Sequence, residues 1–221
     1  MITRVFFGPR RHDMTTEACL AHWKGTHSEI GARLPGVRAY VQNHGVLADG
    51  RFLLPYPGFD IMPELDWEGL DAMDAAIDSP AHEKDSIDDE ANFLDVSRTG
   101  YAVTKRQVLA DGAVLDGAVK LITLLRLAAN TSPNALAEAI AGPYASAVRR
   151  AGPLRHETLI TLPDRKGRPA FAVQAVDMIW FGDPRDALAW VGSDAHAAAA
   201  WQLAGVVFGS ERLIARPHKI V

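Results

Sequence analysis

TTEACLAHWKGTHSEIGARLPGVR (15–38) and SPNALAEAIAGPYASAVRRAGPLR (132–155) lie 117 residues apart, from 15 to 132, and share one pattern. Each opens on a Thr or Ser of the kind that caps helices, runs on at helical spacing, and breaks at a Pro/Gly pair before an apolar run. Identities are sparse: Ala18 with Ala135, Gly25 with Gly142, Arg33 with Arg150, and Arg38 with Arg155. The same offset sets GFDIM (58–62) over AVDMI (175–179), which places Asp60 on Asp177. A little further on, DSPAH (78–82) falls over GSDAH (192–196), so His82 lies near His196. These three matched segments, in one order, point to an internal duplication.

Working outward, each copy reads as strand, helix, strand, strand, helix, strand. The first has strands near 2–7, 38–46, 57–63 and 100–109, with helices near 15–34 and 66–79. The second has strands near 118–126, 155–163, 171–181 and 211–221, with helices near 133–150 and 184–204. LPDRKGRPA (162–170) reads as a hairpin turn, and the acidic stretch 85–95 as a solvated helix or loop. A βαββαβ order gives an antiparallel sheet with both helices on one face. The other face needs cover, which the second copy can supply. The predicted fold is α+β: two ferredoxin-like βαββαβ units, 1–112 and 117–221, packed sheet to sheet as an intrachain pseudo-dimeric α+β barrel.

Composition narrows the function. A chain of 221 residues, 48% hydrophobic and 23% charged, is ordinary for a globular protein. A net charge of −4 gives no electrostatic case for nucleic acid. The opening MITRVFFGPRR has too short an apolar run for a signal peptide or a membrane span. One cysteine, Cys19, excludes an internal disulfide, suits a cytoplasmic setting, and reads as a small core residue. No Gly-rich phosphate loop is visible, so neither nucleotide nor flavin is expected, and the cofactor expectation is none.

The chemistry concentrates in HWKGTH (22–27). Cys19, Trp23, Ile30 and Leu34 form an apolar helical stripe, and His27 shares the face of Trp23. On a regular helix His22 and His27 stand about 140° apart, which disfavours a shared metal and gives the two separate roles. The second copy has Ala139 and Tyr144 in their places, so the helix does not require either imidazole. In AYVQNHG (39–45), alternation puts Tyr40, Gln42 and His44 on one face, beside Trp23 and His27. Asp60 is placed to orient an imidazole, although Asp177 persists in the copy without histidines. His82, at a predicted helix end, reads as a dipole-favoured cap within reach of a pocket mouth. Arg10 and Arg11 read as solvated loop arginines.

FFGPRRHDMTTEACLAHWKGTH followed by LPGVRAYVQNH resembles the EthD domain family over residues 2–110. The second half is similar only in layout and lacks the His-Trp and second His. The resemblance implies a dimeric α+β barrel with a pocket between helices and sheet. It also implies a group spanning cofactor-free monooxygenases, muconolactone isomerases, polyketide cyclases and dehydratases, and haem peroxidases. The expectation is an oxidoreductase-type enzyme, a cofactor-free oxygenase of an aromatic or polyketide-like metabolite, with its site in the first copy. His27 and His44 would be acid and base, Tyr40 an oxyanion donor, and Trp23, His22, Asp60 and His82 substrate contacts. Proton transfer alone (isomerase, cyclase or dehydratase) and a non-catalytic ligand carrier or accessory to a partner oxygenase are the alternatives. The partner is a small apolar or aromatic molecule, with no membrane, no nucleic acid, no metal, and a monomer or homodimer.

Overall fold

The computed structural model describes residues 1–163 and 173–221. The turn expected over 162–170 lies outside them, apart from Leu162 and Pro163. The first half contributes β1 (Ile2–Phe7), β2 (Ala39–Gly45), a short pair β3 (Leu47–Ala48) and β4 (Arg51–Phe52), β5 (Ile61–Trp67) and β6 (Gly100–Ala110). The second contributes β7 (Val119–Leu127), β8 (Arg155–Thr161), β9 (Ala175–Phe181) and β10 (Val207–Lys219). Eight of these strands close a barrel in the order β1-β5-β2-β10-β7-β9-β8-β6.

Within each half the order is that of a ferredoxin-like unit, β6-β1-β5-β2 and β10-β7-β9-β8, with antiparallel neighbours. The expected architecture is therefore present, with one refinement. The sheets are joined edge to edge, not only face to face, because β2 pairs with β10 and β6 with β8. Closure leaves no barrel edge open to pairing with another chain.

Alternation then assigns the two faces of every strand. Val5, Phe7, Met62, Ile122, Met178 and Leu213 pack inside the barrel. Leu34, Tyr40, Leu65 and Trp67 pack beneath the helices of the first half, and Leu121, Ile140, Ile179 and Trp190 beneath those of the second. Cys19 is fully buried and its thiol is pushed up to about 12 by burial, as suits a core residue. β5 starts and ends later than the expected 57–63, because Glu64 and Asp66 find partners inside the barrel.

The helices differ more from expectation. The first is α1 (Thr16–His22), a π turn (Trp23–His27) and α2 (Ser28–Ala32). The expected helix 66–79 is α3 (Leu70–Ile77), followed by a second π turn (Ala81–Ser86) and α4 (Ile87–Phe93). The second half repeats the first arrangement as α5 (Pro133–Ala139), a π turn (Ile140–Tyr144) and α6 (Ala145–Arg149). Its caps also correspond: Thr15 accepts from the Ala18 amide and Ser132 from the Ala135 amide. The span 184–204 is two helices, α7 (Pro184–Val191) and α8 (Asp194–Trp201), because Ser193 caps a new start. Among the described residues, no helix is long and apolar enough to cross a membrane.

Candidate functional site

The site grows out of the first π turn. Gly25, inside this turn, departs from helical backbone angles (φ −84°, ψ −107°), so the helix kinks between the two histidines and residues five apart come round to one face. His22 and His27 therefore point the same way, which overturns the regular-helix expectation that they diverge. Both close on one carboxylate: His22 Nε2 lies 3.0 Å from Asp89 Oδ1, and His27 Nδ1 lies 2.9 Å from Asp89 Oδ2. Phe93, one turn on from Asp89 in α4, stacks on His22 at 4.7 Å and tilts against His27 at 5.1 Å. The acidic run expected to be solvated thus supplies the group that joins the histidines, and Asp89 is buried. The shared face does not make a metal centre. Among the described residues no group of three or more His, Cys, Asp or Glu is arranged to hold an ion.

His27 also lines a narrow cavity between helices and sheet, with Arg4, Phe6, Tyr40, His82 and Glu90 on its walls. Its room is about 30 Å³, the share of roughly one water molecule.

Electrostatics assign protonation states. Burial lowers the His27 pKa, against the opposing pull of Asp89, so the ring is neutral at pH 7. Burial alone would raise Asp89, but hydrogen bonds from His27, His22 and Asn92 hold it below the ordinary carboxylate value. An ionised Asp89 accepting from His27 Nδ1–H fixes the tautomer and leaves the Nε2 lone pair as the basic atom. Glu90 has the opposite fate. Burial lifts it to about 7 against the pull of Arg4, so it holds a proton where an ordinary glutamate does not. Tyr40 is raised to about 12 by burial and stays a phenol; its oxygen accepts from Gln42 Nε2 at 2.8 Å.

The other expected site residues fall elsewhere. His44 shares the helix-facing side of β2, but Gln42 stands between it and Tyr40, taking its Nε2 at 2.9 Å. It stacks on Trp23 at 4.6 Å and meets His218 of β10 edge-on. Burial pushes its pKa down to about 3, so the ring is neutral, not an imidazolium acid, at neutral pH, and its Nε2–H is given to Gln42 Oε1. Trp23 is fully buried beneath it, a packing partner of His44 and not a wall of the cavity. Asp60 orients no imidazole. It takes the Arg10 backbone and guanidinium, the Tyr56 hydroxyl and, at 3.4 Å, Thr16. Arg10 is accordingly an ion-pair partner, not a solvated arginine. His82 lies in the first turn of a new helical segment, at its N-terminal and not its C-terminal end, so no dipole favours a cation there. It does reach the cavity.

Sequence reasoning missed Asp89 and Glu90. The one available signal was the five-residue spacing of the histidines, which a regular helix cannot use and one kinked at Gly25 can.

Residues 11–97 match the EthD domain family, a span that holds His22, His27, Tyr40, Asp89 and Glu90. The likeness to the EthD domain is confined to this segment of the first half. Among solved structures, an anthrone oxidase-like protein aligns with a TM-score of 0.69 at 11% identity, over 99% of this chain and 93% of that one. A proposed monooxygenase of Fusobacterium nucleatum aligns at 0.60 and 12% identity, over 98% and 91% of the two chains. Another, from Lactobacillus acidophilus NCFM, aligns at 0.53 and 12% identity, over 100% and 94%. At such identities the likeness is one of fold. No curated protein matches the chain. The full-length alignments extend past the EthD segment through the second half, so the whole barrel is the shared unit.

Proposed function

We propose that the EthD segment is the catalytic half of a cofactor-free, oxidoreductase-type enzyme acting on a small aromatic metabolite. The observation that carries this reading is one buried carboxylate, Asp89, holding His27 as a neutral base over a cavity it shares with Glu90, whose carboxyl burial raises to about 7. Groups whose surroundings drive their pKa values apart are the usual mark of paired acid and base. His27 Nε2 takes a proton from an activated carbon or hydroxyl of the substrate. Tyr40 and the Glu90 carboxylic acid donate toward the oxygen on which negative charge develops. The carbanion then passes its electrons to dioxygen as co-substrate, so no resident cofactor is required. His44 is replaced in this scheme by Glu90. The second half, with Ala139 and Tyr144 in place of the histidines, is a copy that keeps the fold of the helix without this base.

The space beside His27 takes about one water, so a ring enters only as the 81–93 segment moves off the sheet. Anthrone is a suitable probe, because loss of one ring-carbon proton yields a stabilised carbanion, and one dioxygen converts it to anthraquinone and water. Oxygen uptake with anthrone should fall about a hundredfold or more in His27→Ala, with the fold preserved by circular dichroism. Proton exchange into the substrate without oxygen uptake would instead assign the isomerase-type reading. Binding with neither would leave the carrier.

A further inference from the structure

A wider space than the one beside His27, open to solvent on one side, lies in the half that lacks the histidines. Between α8 and the sheet of the second half is a cavity of about 240 Å³, against about 30 Å³ beside His27. Side-chain size explains the difference. The first half fills this layer with a π turn and α4, whereas α8 presents Ala200, followed by Ala204, to the space. Thr123, Tyr144, His196, Leu203, Phe208 and Arg212 complete the walls.

Two independent features mark it as a built site. The first is Arg212. Its Nη1 donates to His196 Nε2 at 3.3 Å, and among the described residues no carboxylate pairs with it. Burial and the neighbouring Arg212 lower the His196 pKa, and because a guanidinium can only donate, its Nε2 stands as the acceptor of this bond. One of five guanidinium donors is thus spent on a neutral group, and the charge remains for an anion. Tyr144 does not supply one: its hydroxyl donates to Asp177 at 2.8 Å, away from this role. The second feature is Phe208. The β10–β7 register shifts between Val207 and Gly209, and this irregularity turns a phenyl ring, 70% exposed, onto the cavity rim. Bulges re-aim side chains beside sites, and a large exposed ring over an apolar space awaits a partner surface.

We propose that the second half binds a small aromatic monocarboxylate, its carboxylate on Arg212 and its ring against Leu125, Leu203 and Phe208. A volume of 240 Å³ is below the usual range for drug-sized ligands, which starts at about 300 Å³, so a one-ring acid suits it better than a polycycle. The site is separate from the Asp89–His27 cavity and shares no lining residue with it.

The test is calorimetric titration of benzoate into the full chain, with benzamide as the neutral isostere. The expected result is saturable one-to-one binding of benzoate, with benzamide about tenfold weaker or worse. Arg212→Gln should weaken benzoate by about tenfold, and Ala200→Leu, which fills the space, should abolish binding with the thermal midpoint maintained. If Arg212→Gln does not fold, the benzamide comparison and Ala200→Leu still decide. Absence of saturable benzoate binding up to about 10 mM, equal affinity for benzamide, or full binding by Ala200→Leu each overturns the proposal.

Discussion

At the scale of single residues, burial sets the charge states, and pH is the lever that reads them. The proposed base must be unprotonated and the proposed acid protonated. Activity should therefore rise through the lowered pKa of His27 and fall again as Glu90 ionises near 7. Glu90→Gln should flatten the alkaline fall of kcat/KM, because the amide has no proton to lose, and an unchanged alkaline limb would remove Glu90 from the mechanism. His44 reports on stability instead. Its folded pKa of about 3 lies below the ordinary value of 6.5, so the unfolded chain binds the extra proton first. Its contribution is complete above pH 6.5 and is lost as the pH falls toward 3. The thermal midpoint should drop between pH 7 and 4, and less steeply in His44→Phe, which keeps a ring over Trp23 and cannot titrate. Equal slopes for the two chains would show that other groups dominate acid unfolding.

At the scale of elements, the helix caps, the strand alternation and the 117-residue offset were all legible, because each leaves a residue-type signature. The π turns were not. Widening a helix by one residue changes which side chains meet but leaves no composition of its own. Pro143 sits inside one π turn, yet the corresponding Thr26 sits inside the other, so proline does not cause the widening. Asp89 and Glu90 stayed hidden for a related reason: DDE reads as solvated charge until the histidines opposite are known to converge. The same layer makes a sharper demand at Gly31 in α2. A Cβ there would lie 2.7 Å from Tyr40 Cε1, on a buried ring with little freedom to yield. Gly31→Ala should cost about 1–3 kcal/mol, read as a lowered unfolding midpoint. Tyr40→Leu in the same chain should return part of that loss. If Gly31→Ala is neutral, α2 is not held against β2 as tightly as the geometry requires.

At the scale of the whole molecule, what joins the halves is both backbone and buried charge. The β2–β10 and β6–β8 ladders carry the closure, and inside the barrel an ionic cluster crosses the same boundary. Glu64 of β5 receives Lys120 of β7 and Arg106 of β6; Arg106 also reaches Glu157 of β8 at 2.7 Å, and Arg155 takes the other Glu157 oxygen at 2.6 Å. Burial alone would raise Glu64, yet Lys120 and Arg106 hold it down at about 2. Ions withdrawn from water in this way add little net stability as a set, but removing one strands its partner at a cost of roughly 3–5 kcal/mol. Lys120→Met should therefore be strongly destabilising, and Glu64→Gln likewise, while the double variant should lose clearly less than the sum. The measurement is urea unfolding followed by tryptophan fluorescence, with Trp180, whose ring centre lies 4.9 Å from Lys120 Nζ, as a local reporter. A barrel closed through both ladders should melt in a single transition in every variant. Additive losses would mean that the two charges act independently. Two separated transitions would mean that the halves are stable apart and that closure couples them only weakly.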